Sequence, residues 1–178
     1  MTDPLVSACG VDEAGLIRLV GALGAAGRTV ATAESLTGGL IAAVLTAVPG
    51  ASAVVRGGLV VYATDLKHTL AGVDRTLLAE VGAVDPEVAR QLATGARERC
   101  GAALGVGVTG VAGPDPQDGT AVGTVFVCVD AADGRWESAA RFEGDRAAIR
   151  AASVRRALEL LTAAAAPDTE GDRNSARS

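Results

Sequence analysis

Three short segments carry residue types that could do chemistry. In Glu34-Ser35-Leu36-Thr37-Gly38-Gly39 a serine stands where a strand would hand over to a helix. The free N–H groups of a helix N-terminus can stabilise an oxyanion or hold a phosphate, and paired glycines let a ligand approach the backbone. The commonest use of Ser35 or Thr37 at such a place is as an N-cap, and taken alone the segment reads that way. The second segment, Tyr62-Ala63-Thr64-Asp65-Leu66-Lys67-His68, holds the chain's only tyrosine and only histidine. It also holds the one lysine among 16 basic residues, the rest being arginine. On composition alone that lysine is a chance survivor. The sharper use is an amine whose pKa can fall, which a guanidinium cannot supply. A helix over 63–68 would put Thr64 and Lys67 on one face, with Tyr62 at the strand end pointing into the same region. His68 would project about 100° away and reads as a surface residue. The third segment, Val108-Thr109-Gly110-Val111-Ala112-Gly113-Pro114, closes through Gly119-Thr120 and Val122-Gly123. Its glycines suit backbone donors around an anion, but it has neither the Walker nor the dinucleotide spacing. Asp115 and Asp118 read as turn formers rather than metal ligands.

Periodicity supplies the elements that must hold these segments. Asp12 to Gly27 reads as a helix, with Leu16, Leu19, Val20 and Leu23 on one face. Thr29 to Ala33 is a short strand, Leu40 to Val48 a helix closed by Pro49-Gly50, and Val54 to Tyr62 a second strand. Gly57-Gly58 inside that strand implies a bulge or a close backbone approach. Short helices are expected at 65–70 and 74–81, then a longer one opened by Asp85 as N-cap and Pro86 at the first position. Ala89, Ala93, Ala96 and Cys100 give that helix a small-residue face for close packing. Ala103 to Thr109 is the next strand, and Thr124 to Asp130 pairs with Arg135 to Phe142 as a hairpin. Asp145 caps a final helix striped by Val154, Ala157, Leu158 and Leu161. Alternating helices and apolar strands, plus one late hairpin, imply a three-layer α/β/α sandwich with a mixed, mostly parallel sheet. Ligands in such folds gather at the carboxyl ends of strands, where all three segments fall. Residues 1–11 are expected to be poorly structured, 12–166 to form the domain, and 167–178 to be a disordered tail.

Composition narrows the function. The chain has 178 residues, enough for one well-packed domain. A net charge of −5 leaves no broad basic surface, so nucleic acid is not an expected partner and any anion must be held by a few local donors. Aromatics amount to 2% (Tyr62, Phe126, Trp136 and Phe142), too few for base-stacking platforms. The core must be filled by small side chains, with 37 Ala and 22 Val available. Cys9, Cys100 and Cys128 are odd in number and widely spaced, arguing against disulfides and zinc. Met1 to Gly10 lacks the marks of a signal peptide, and no apolar run is long enough to span a bilayer. A cytoplasmic protein without a membrane partner is expected.

The segments Thr32 to Gly39, Gly58 through Tyr62 to Lys67, Gly82-Ala83-Val84 to Ala89, Thr109 to Pro114 and Gly144-Asp145-Arg146 occur in this order. Together they resemble the CinA C-terminal family in its stand-alone single-domain form, over roughly residues 12–163. The family's enzymatic members are nicotinamide-nucleotide amidohydrolases (NMN deamidases). Two departures stand out. Asp85 replaces a serine common there, which alters a helix cap, and Asp115 to Thr120 differs from the commoner Gly-rich loop at the rim. Larger two-domain members carry an additional N-terminal domain whose activities do not transfer to these residues.

The resemblance implies hydrolysis of the carboxamide of nicotinamide mononucleotide to nicotinate mononucleotide and ammonia, a step of pyridine nucleotide salvage. Carried over by position, Ser35 is the nucleophile and Lys67 the general base, its pKa lowered by burial or by a cation such as Arg146. Tyr62 would relay or position the proton, and the helix N–H groups after Ser35 would form the oxyanion hole. Substrate binding falls to Thr37, Gly38, Gly39, Thr109, Gly110, Gly113 and Arg146, with Arg146, Thr109 or the 110–113 amides on the phosphate. No cofactor and no metal are implied, and a homo-oligomer is. The competing expectation is a non-catalytic nucleotide-binding or oligomeric module of the competence-damage-inducible type, which needs neither Ser35 nor Lys67.

Overall fold

The computed structural model describes residues 3–165. In chain order it forms helices α1 (Pro4–Ala8) and α2 (Glu13–Ala25), strand β1 (Val30–Glu34), α3 (Leu40–Thr46), α4 (Ala51–Val54), β2 (Val55–Val60), α5 (Thr64–Thr69), α6 (Arg75–Val81), α7 (Pro86–Arg99), β3 (Leu104–Gly110), β4 (Thr124–Ala131), β5 (Gly134–Arg141) and α8 (Arg146–Ala165). The sheet order is β2-β1-β3-β4-β5. Strands β2, β1 and β3 pair in parallel, β4 is antiparallel to β3, and β5 is antiparallel to β4. Only β4 therefore runs against the other four, as the expected mixed sheet requires.

Both faces of the sheet are covered, which explains why β1 and β3 are buried along their whole length. On one side Leu104, Val106 and Val108 of β3 share a core with Leu16, Leu23, Ile41, Val154 and Leu161 from α2, α3 and α8. On the other side α7 lies against Ala31, Ala33, Val61 and Val73 through Val88, Leu92 and Ala96. The alternate β3 residues, Gly105 and Gly107, face α7, and a Cβ on either would collide with the carbonyl oxygens of Ala93 and Ala89. The Ala89, Ala93 and Ala96 face thus does what its residue sizes suggested, bringing helix backbone onto strand backbone.

Three local expectations change. Residues 3–11 are not without structure: Asp3 accepts from the N–H groups of Leu5 and Val6, and Pro4 opens the one-turn α1, which buries Val6. Residues 51–54, read as loop and strand start, form the short α4. The second strand stops at Val60 rather than Tyr62. Gly57-Gly58 gives both of the effects anticipated for it. The β1–β2 register skips at Arg56, and a Cβ on Gly58 would meet Thr32 Oγ1 at 2.7 Å. Residues 166–178, with the expected tail, lie outside the described residues.

The chain reverses direction across the sheet between β1 and β3. From β1 it passes to α3 in one layer, and it reaches β3 from α7 in the other. The carboxyl ends of β1, β2 and β3 therefore open side by side at a switch point, the usual place for a ligand crevice.

Candidate active site

Ser35 follows the last residue of β1 and is held by its N–H, which donates to the Val108 carbonyl of β3 at 3.1 Å. Lys67, on α5, is 1% exposed. Its Nζ lies 3.1 Å from Ser35 Oγ, 2.9 Å from the Val61 carbonyl and 3.3 Å from the Tyr62 carbonyl. No carboxylate pairs with it among the described residues. Burial alone pushes its pKa down, to about 8. The two carbonyls can only accept, so in the neutral amine they take both N–H groups and leave the lone pair for the Ser35 hydroxyl. That is the arrangement a serine nucleophile and its base require.

Glu34, the residue before Ser35, is fully buried. Its carboxylate accepts from Thr32 Oγ1 at 3.0 Å and from the N–H groups of Gly39, Ile41 and Ala42 at 3.0, 3.0 and 2.9 Å. The N-terminus of α3 is thus occupied by the protein's own carboxylate and is not the anion site expected from the sequence. The Gly38 N–H is also committed, to the Ser35 carbonyl. Among the described residues, the N–H groups of Leu36 and Thr37 have no hydrogen-bond partner. Thr37 is fully buried and its Oγ1 is unpaired as well.

A cleft of about 160 Å³ opens beside Ser35, lined by Tyr62, Gly110, Gly113, Asp115, Gln117 and Arg146 among others. Arg146, in the first turn of α8, donates Nη1 to the Gly113 carbonyl at 2.8 Å and Nη2 to the Tyr62 phenol at 2.7 Å. It makes no ion pair among the described residues. The cleft therefore pairs a nucleophile with an uncompensated cation, on a chain that is acidic overall.

Of the residues singled out from the sequence, Ser35, Lys67, Tyr62, Gly110, Gly113 and Arg146 converge here. The Tyr62 phenol does not reach the amine as a relay: it pairs with Arg146, and only its backbone carbonyl meets Lys67. Arg146 plays no part in lowering the Lys67 pKa. Thr109 lies outside the cleft lining, because its buried hydroxyl donates to the Ala83 carbonyl at 2.6 Å and so fixes the loop that forms one wall. Thr37, Gly38 and Gly39 do not line the cleft either; Gly38 is exposed on the outer side of the loop. His68 bonds the Val73 carbonyl through Nδ1 at 2.7 Å, away from the site.

A family model described as the CinA C-terminal domain matches residues 16–165. The chain belongs to that family. A CinA-like protein of Frankia casuarinae is 50% identical over 133 residues, which are 75% of this chain and 31% of the relative. The chain spans about a third of the length of the curated relatives it matches. Among solved structures, the competence/damage inducible protein CihA of Agrobacterium tumefaciens aligns with a TM-score of 0.81 and 41% identity, over 85% of this chain and 93% of that one. A CinA-superfamily protein of Klebsiella pneumoniae aligns with a TM-score of 0.81 and 32% identity, over 85% and 96%. No helix among the described residues of this CinA-type domain is long and apolar enough to cross a membrane.

Two residues of the site escaped sequence reasoning. Glu34 was visible in the motif, but nothing local shows that a strand-end carboxylate turns back onto the helix that follows. Arg150 of α8 donates Nε to the Leu36 carbonyl at 3.0 Å and Nη2 to the Thr37 carbonyl at 2.9 Å. Its spacing of four residues from Arg146 was the available signal, since both then share a helix face.

Proposed function

We propose that this domain hydrolyses the carboxamide of nicotinamide mononucleotide, giving nicotinate mononucleotide and ammonia, through Ser35 and Lys67. The observation that carries the reading is the buried, unpaired amine 3.1 Å from Ser35 Oγ, with two carbonyls fixing its N–H groups. An amine of pKa about 8 is neutral in about a tenth of molecules at pH 7, against about one in three thousand for an ordinary lysine.

Ser35 Oγ attacks the carboxamide carbon as its proton passes to Lys67 Nζ. The carbonyl oxygen gains charge and is met by the unpartnered N–H of Leu36, a residue of the cleft lining, which contributes about 3 kcal/mol to lowering the barrier. The intermediate collapses, the C–N bond breaks, and Lys67 returns the proton to the leaving ammonia. Water, deprotonated by the same amine, attacks the acyl-serine ester and releases the carboxylate. Arg146 holds the 5′-phosphate with a guanidinium that no carboxylate neutralises.

The solved relatives are named for competence and damage induction, and a non-catalytic module is the rival reading. Burying an amine without a countercharge costs about 3 kcal/mol, by the fall of its pKa from 10.5 to about 8, and a purely structural core has no use for that. The test is ammonia release from nicotinamide mononucleotide by the purified chain, with Ser35→Ala as control. Turnover by the wild type alone supports the hydrolase. No ammonia from the wild type overturns it in favour of the module.

A further inference from the structure

Two opposite charges, Arg146 and Asp115, line the cleft beside Ser35. They pair neither with each other nor with any other charged group among the described residues. Arg146 is turned to neutral oxygens instead, the Gly113 carbonyl and the Tyr62 phenol. Asp115 is exposed, and among the described residues it is the one carboxylate of that lining. Asp74, Asp85 and Asp145 each accept from a backbone N–H two or three residues on. Asp115 accepts no such bond, so the side-chain contact that marks a turn-forming Asp is absent from it. Asp118 is the residue of this loop with the special backbone, at φ 49°. It lies against Gly82, outside the cleft lining. The loop that carries Asp115 is held at both ends: Arg146 fixes the Gly113 carbonyl before it, and Gln117 and Thr120 exchange backbone bonds at 3.1 and 2.7 Å after it.

We infer that Asp115 is a specificity residue that selects a cationic pyridinium ring over a neutral aromatic amide, an inference that rests on the nucleotide reading above. The ring nitrogen of nicotinamide mononucleotide is bonded to ribose and carries a fixed positive charge, while its phosphate is negative. A ligand with two separated charges of opposite sign is complementary to a cleft that keeps a guanidinium and a carboxylate apart. With Arg146 on the phosphate, Asp115 is left for the ring. The overall charge of −5 favours any cation weakly and at a distance; Asp115 acts within the cleft itself. An exposed carboxylate is screened by water, so the preference is modest. The ring keeps its charge from ground state to transition state, so Asp115 acts on KM and leaves kcat unchanged.

The test compares nicotinamide mononucleotide with its neutral isostere, the 5′-phosphate of 3-carbamoylphenyl riboside, in which carbon replaces the ring nitrogen. Carboxamide, ribose and phosphate are the same in both. Calorimetry on the full chain carrying Ser35→Ala gives the two affinities without turnover, alone and combined with Asp115→Asn or Asp118→Asn. With Asp115 present, the cationic ligand is expected to bind about fivefold more tightly than the isostere, and the difference fades in molar salt. Asp115→Asn abolishes the preference and leaves the isostere bound as before or slightly more tightly, because a charge repelling the phosphate is gone. Asp118→Asn removes the same charge outside the cleft and keeps the preference. In the chain with Ser35 intact, Asp115→Asn raises KM for nicotinamide mononucleotide about fivefold with kcat unchanged. Equal affinity for the two ligands, a preference that survives Asp115→Asn, or one lost equally in Asp118→Asn overturns the inference. Ammonia release without any charge preference keeps the hydrolase and sinks the role of Asp115. An Asp115-dependent preference in a wild type that releases no ammonia keeps that role and sinks the hydrolase, and failure of both ligands to bind sinks both.

Discussion

Glu34 and Ser35 are consecutive residues whose side chains do unrelated work: the Glu34 carboxylate closes the start of α3 at 2.9–3.0 Å, while Ser35 Oγ meets Lys67 at 3.1 Å. Alternation at a strand end sends neighbours to opposite sides. The helix that would otherwise offer its N-terminus to a ligand is satisfied from behind, which leaves the Leu36 N–H as the unpartnered backbone donor of this loop in the cleft lining.

Glu34→Gln should be costly although it is nearly isosteric. One amide NH₂ would face backbone N–H donors, leaving buried groups unmatched. A loss of about 3 kcal/mol in denaturant unfolding is expected, with activity falling as the 35–39 loop loses its anchor.

Ser35→Ala and Lys67→Arg should each reduce ammonia release by about 10³-fold or more while the circular dichroism spectrum remains that of the wild type. Lys67→Arg keeps the charge and removes the titratable base. Near-normal turnover by that variant would exclude Lys67 as the base.

The pH profile follows from the direction of the Lys67 shift. The amine must be neutral to act, and its pKa is lowered to about 8. Between pH 6 and 8, kcat/KM should rise about tenfold per unit and level off above 8. Stability moves the same way in a higher window. Between about 8 and 10.5 the unfolded chain holds a proton that the folded one has released, so unfolding free energy rises with pH there. A flat activity profile from 6 to 9 would contradict the assignment.

Arg146→Met should raise KM for nicotinamide mononucleotide about 10- to 100-fold and leave turnover of the phosphate-free riboside unaffected. Tyr62→Phe removes the acceptor of Arg146 Nη2 and should give a smaller KM increase with no shift of the pH profile. The reason is that Lys67 is held by the Tyr62 carbonyl rather than its phenol. A Tyr62→Phe variant with a displaced acid limb would restore the proton-relay role.

Gly105→Ala tests the packing that brings α7 onto the sheet. The added methyl meets the Ala93 carbonyl and Arg97 backbone, neither of which can move without displacing the helix. A loss of about 3 kcal/mol or more is expected in thermal or denaturant unfolding.

The sequence by itself determined the α/β alternation, the caps at Asp85 and Asp145 and the small-residue face of α7, while Ser35, Lys67, Tyr62 and Arg146 came together as a set only through the resemblance to the CinA C-terminal family. The elements are read from local chemistry, periodicity and turn residues, whereas the lone lysine beside the lone tyrosine gains a role only from the order and spacing of the family's motifs. What only the tertiary structure decided is where each polar group's hydrogen bonds go. Glu34 folds back onto α3, Thr109 holds the Ala83 loop, the Tyr62 phenol pairs with Arg146 across 84 residues, and Arg150 reaches the Leu36–Thr37 loop across more than 110. Such partnerships depend on which strand ends lie side by side and which helix crosses above them, and no window of neighbouring residues encodes that. The same packing sets the Lys67 pKa, because desolvation belongs to the surroundings of the amine and not to the residue itself.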